Sequence, residues 1–82
     1  MLDPKSFGLT SRTVLEEYDG GVAIVMDRKS RIVMADGQRI LAKAEKLRAS
    51  VGDVAIVLKT LAPVCSKTKL FLDDREIVVL PL

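Results

Sequence analysis

The amino-acid sequence predicts a single small α/β domain in α-β-β-α-β-α-β order, with a four-stranded mixed sheet packed with helices. Three observations predict it. Short apolar runs rich in Val and Ile recur at Val22–Met26, Arg31–Ala35, Val54–Leu58 and Glu76–Leu80, each of strand length. Two longer stretches among them place apolar residues at helical spacing. Gly, Asp, Ser and Pro punctuate the joins. With 82 residues the chain is one domain, read as a loosely ordered arm over 1–9 and a folded unit over 10–82.

In chain order, the arm contains Pro4 and Gly8 and shows no periodicity. Thr10 or Ser11 can cap a short helix through Tyr18, with Val14, Leu15 and Tyr18 on one face; Asp19, Gly20 and Gly21 end it. Val22–Met26 and Arg31–Ala35 read as a β-hairpin joined by Asp27, Arg28, Lys29 and Ser30. That join has no Gly, which favours a four-residue loop built on a type I turn. Asp36 then caps a helix from Gly37 to Ala49, in which Ile40, Leu41, Ala44 and Leu47 fall within about 120° of one another.

Ser50, Gly52 and Asp53 make the next turn before the strand at Val54–Leu58. Thr60 caps a further helix that carries Pro63 in its first turn, where a missing N–H costs little. The β-branched run Ile77, Val78, Val79 forms the last strand, and Pro81 stops its ladder. Strands that are apolar throughout suit a sheet covered on both faces. In this layout the first strand of the hairpin is antiparallel to the other three.

Composition narrows the function. Half the chain (49%) is hydrophobic, yet only Phe7, Tyr18 and Phe71 are aromatic, so the core is aliphatic and platforms for base stacking are scarce. Thirteen basic against eleven acidic residues leave a net charge of +2, below the usual level of a dedicated nucleic-acid binder. The absence of histidine removes Ser-His and Cys-His pairs, imidazole bases and His-ligated zinc. One cysteine cannot close an internal disulfide. No apolar run approaches the ~20 residues of a membrane span, and the opening MLDPKSFG lacks a signal-peptide h-region. The expectation is a cytoplasmic, non-enzymatic protein with no cofactor, no metal and no membrane partner.

Two clusters are candidates for function. Arg28, Lys29 and Arg31 gather at the hairpin tip, and Arg39, Lys43 and Lys46 form a basic row at i, i+4, i+7 on the first long helix. Like charges at that spacing cost a few tenths of a kcal/mol unless an anion faces them; the competing reading is a solvated face. The second cluster is Lys59, Thr60, Cys65, Ser66 and Lys67 at the start of the next helix, a place for a small anion or a thiol. The predicted hairpin puts the two clusters at opposite edges of the sheet, as separate sites.

The run VLKTLAPVCSKTKLFLDDREIVVLPL resembles the first strand, cysteine helix and second strand of glutaredoxins and arsenate reductases of the thioredoxin-like superfamily. The resemblance covers about a third of the chain and implies that Cys65 is a nucleophile with Lys67 beside it. Thr68 stands where the second cysteine of a CxxC would be. On helical spacing Cys65 shares a face with Leu61, Thr68 and Leu72, which predicts a buried thiol that labels slowly. The function expected is a binding domain for nucleic acid or another polyanion, using the six cations. The alternatives are a protein-interaction module, including a homodimer through the last strand, and a thioredoxin-like thiol or anion-binding protein.

Overall fold

The computed structural model describes residues 4–9, 13–52 and 54–82. A short 3-10 helix, Pro4–Phe7, leads into a hairpin of β1 (Val14–Tyr18) and β2 (Gly21–Met26). The two strands pair antiparallel, with Leu15 opposite Ile24 and Tyr18 opposite Gly21. Asp19 and Gly20 join them with φ of 45° and 82°. Positive φ at both positions is what a type I′ turn requires, and it matches the twist of the flanking strands.

The helix predicted through Tyr18 is thus a strand over Val14–Tyr18. Its residues satisfy a period of two: Leu15 is buried on one face, while Val14 and Tyr18 lie on the other. Thr10 and Ser11, the expected caps, lie outside the described residues, as does Asp53.

A second correction concerns Arg31–Ala35. There Ile32 alone finds a β partner, a parallel bridge to Val64. Ile32 N–H donates to the Pro63 carbonyl and Cys65 N–H donates to the Ile32 carbonyl, both at 2.9 Å. The chain then turns directly into helix α1, Met34–Val51. Asp36 therefore lies within the first turn of α1, where its carboxylate accepts the Val33 N–H at 3.0 Å. Gly52, at φ 88°, ends the helix and donates to the Arg48 carbonyl.

Strand β3 (Ile56–Thr60), helix α2 (Ser66–Asp74) and strand β4 (Ile77–Pro81) complete the chain. The sheet order is β1-β2-β3-β4, with β2, β3 and β4 mutually parallel and β1 antiparallel. The β-β-α-β-α-β order and the small four-stranded mixed sheet stand as the sequence predicts. The antiparallel strand is Val14–Tyr18, however, and not Val22–Met26.

Both helices pack on one face of the sheet. Leu15, Val22, Ile24, Ile56, Leu58 and Ile77 join Ile40, Ala44 and Leu47 of α1 and Leu72 of α2 in one aliphatic cluster. Gly37 sets the approach of α1 to α2: a Cβ there would lie 2.8 Å from Thr68 Cγ2 and 3.5 Å from the Phe71 ring. The expectation of a sheet covered on both faces fails, since no described element lies over the other side. There the Lys59 ammonium sits 4.7 Å from the centre of the Tyr18 ring, and Ala23, on the strand between them, is buried.

Candidate functional site: the carboxyl edge and a basic groove on α1

Because β2 runs parallel to β3, the ends of β2, β3 and β4 share one edge of the sheet. The segment Asp27–Val33 crosses that edge and meets Val64 and Cys65 through the Ile32 bridge. Arg28, Lys29 and Arg31 thus lie at the same edge as Thr60 and Cys65. The predicted separation of the two clusters is corrected by the parallel register of β2.

Arg28 holds this crossing together. Its guanidinium donates to the Ser30 carbonyl (3.2 Å), the Arg31 carbonyl (3.0 Å) and Asp36 Oδ2 (2.7 Å). The last contact is an ion pair at a partly sheltered site, with side-chain exposures of 32% and 12%. The hydrogen bond from Arg28, then the Val33 N–H, holds the Asp36 carboxyl below its ordinary range. These bonds commit Arg28 to the fold and leave Lys29 and Arg31 as the exposed cations of the segment. Sequence reading took Asp36 for a local cap and missed its partner eight residues back. The charge pair itself was visible, but the direction of the intervening chain was not.

On α1, Arg39, Lys43 and Lys46 line a groove of about 240 Å³ with Gly8, Leu9, Thr13 and Ala42. Among the described residues no carboxylate lines it. Lys46 Nζ donates to the Gly8 carbonyl at 3.2 Å, tying the row to the N-terminal segment. Lys43 also lines an adjoining groove of about 320 Å³, beside Arg28, Asp27, Thr13 and Met26. The helical row and the Arg28 segment are therefore neighbours through Lys43, with Asp27 the one acid lining the two grooves among the described residues.

The predicted anion cluster disperses. Thr60 ends β3, where its hydroxyl donates to the Met26 carbonyl (2.8 Å) and accepts from the Ala62 N–H (3.0 Å). Lys59 turns to the Tyr18 ring on the opposite face of the sheet. Ser66 and Lys67 remain, exposed in the first turn of α2.

Cys65 is not in the core. Since α2 begins at Ser66 rather than near Thr60, Cys65 occupies the N-cap position and is half-buried, so helical spacing does not apply to it. Cys65 makes no side-chain capping bond, but the Lys67 and Thr68 N–H groups beside it lower its thiol pKa from the ordinary value, helped by the Thr68 hydroxyl and by Arg31. That hydroxyl is fully buried and has no well-formed hydrogen bond among the described residues.

Among the described residues no cluster of His, Cys, Asp and Glu could hold a metal ion, and no helix is long and apolar enough to cross a membrane. β3, α2 and β4 form a parallel strand-helix-strand unit with Cys65 at the N-cap of its helix. Comparison of the chain with protein-family models, curated proteins and solved structures finds no match.

Proposed function

We propose that the protein is a non-enzymatic module that binds a polyanion, with the phosphate backbone of nucleic acid as the favoured partner. The observation that carries this reading is the groove on α1, lined among the described residues by three cations and no carboxylate. From Arg39 to Lys46 the helix rises roughly 10 Å, which spans about three phosphates at ~3.4 Å each along one strand of a duplex. Lys43 links the row to the Arg28 segment, where Lys29 and Arg31 extend the positive surface.

Such a surface reads charge rather than sequence. Phosphate contacts from Lys and Arg release counterions and give affinity without base discrimination. The scarcity of aromatic residues agrees with backbone contact rather than base stacking. Three to four phosphates neutralised predict that log K falls with log salt at a slope of roughly −3. The outer edge of β4 favours self-association as a second property, compatible with the first.

The test is fluorescence anisotropy with a mixed-sequence duplex across a salt series, on the parent chain and on Lys43→Glu. We expect the charge reversal to weaken binding about tenfold or more and to flatten the salt slope. Binding that ignores both Lys43→Glu and salt would remove the proposed surface.

A further inference from the structure

We infer that the chain forms a two-fold homodimer in which β4 pairs antiparallel with β4 of a second copy while α2 lies beside its counterpart. Strand β4 is last in the sheet, and no described strand pairs with its outer edge. An edge of β-branched residues is a template for another strand unless something blunts it. Here Pro81 stands at the end, and Val78 is 49% exposed.

The helix above this edge supplies the second, independent observation. Lys69 lines a groove with Val79, Leu80 and Pro81, so this flank of α2 overhangs β4. The same flank presents Ser66, Leu70 and Asp73, and Leu70 is 70% exposed. One exposed leucine is ordinary; the charges around it are not. Lys69 lies toward the helix N-terminus and Asp73 in the last turn, the reverse of what the macrodipole favours. Lys before Asp at i, i+4 is also the poorer order for an internal pair. The ion pair found among the described residues is Arg28 with Asp36, not Lys69 with Asp73.

A second copy resolves this pattern. Rotation by 180° about an axis through the outer edge of β4, normal to the sheet, sets α2 antiparallel to its mate. Lys69 of each copy then faces Asp73 of the other, twice, with Leu70 close to the axis. The interface is isologous, and its charge pattern is self-complementary. The same rotation aligns β4 with β4, so helix pairing and strand pairing obey one operator.

This inference does not rest on the polyanion reading, whose groove is built on α1 and the N-terminal segment. Sedimentation equilibrium of the full chain over about 5–200 μM tests it, with circular dichroism as the check on folding. The expected mass is twice that of the chain. Leu70→Asp, at an exposed position, should leave the fold intact and give monomer. Lys69→Asp should weaken the dimer about tenfold, and adding Asp73→Lys in the same chain should restore it. A parent chain that stays monomeric, a dimer indifferent to Leu70→Asp, or a double swap without recovery would each overturn the proposal.

Discussion

Arg28 and Asp36 form a charge pair whose value depends on the bonds around it. The 2.7 Å contact is one of three that the guanidinium makes, and the carboxylate also accepts the Val33 N–H. Such charge-assisted bonds contribute about 1.5–3 kcal/mol each where water is partly excluded. Because the folded carboxyl titrates below its ordinary value, its stabilisation is present above the unfolded pKa of about 3.9 and is lost as pH falls through the folded value. Asp36→Asn should therefore cost about 1–2 kcal/mol at pH 7 in urea unfolding, with the difference closing toward pH 3; a constant difference would show that the charge plays no part. Cys65 titrates in the same sense, toward its deprotonated form. With its thiol pKa lowered by the N–H groups of α2, disulfide-reagent labelling at pH 7 should run faster in the folded chain than in urea. Slower labelling in the folded state would restore the buried reading that helical spacing suggested.

Helix α1 shows how tightly two elements can be fitted at one residue. Gly37 faces Thr68 and Phe71 at a distance that leaves no room for a methyl group. Gly37→Ala should thus destabilise the protein by about 1–3 kcal/mol, despite the better helix propensity of Ala. A thermal melt in which the variant is as stable as the parent would mean that α2 yields freely. Most of α1 was legible: Ile40, Ala44 and Leu47 are the buried stripe that their spacing implied. Its start was not, because Met34 and Ala35 belong to an apolar run of strand length while Asp36 fixes the first turn through Val33 and Arg28. For β1 the signal was present and outweighed. Asp19-Gly20 is a hairpin dipeptide, but Val14, Leu15 and Tyr18 also satisfy a helical face, and a five-residue strand offers too few positions to separate the two periods. The shift of α2 from Thr60 to Ser66 has a similar origin, since the Thr60 hydroxyl caps locally through Ala62 without starting a helix.

At the scale of the molecule, the class and element order were readable because apolar runs and amphipathic stretches alternate along the chain. The candidate site was less so. Its residues were found one by one, but which edge they share depends on whether β2 is parallel or antiparallel to its neighbour, and periodicity carries no such information. The strand order places β1 and β4 at the two margins of the sheet. The groove proposed for a polyanion and the edge proposed for self-pairing are built on different elements, α1 with the N-terminal segment and β4 with α2, so their tests are independent. That order has a further consequence. Each strand lies beside the one before it in sequence, so no loop must reach across the sheet to find its partner, and every closure spans one crossover at most. Closing entropy rises only slowly with loop length, so the two crossovers, 34 residues from Val22 to Ile56 and 21 from Ile56 to Ile77, each add a strand at a modest entropic cost. The β1–β2 hairpin, closed by the two residues Asp19 and Gly20, is the pairing with the shortest closure, and β4 is the strand farthest from it in the sheet.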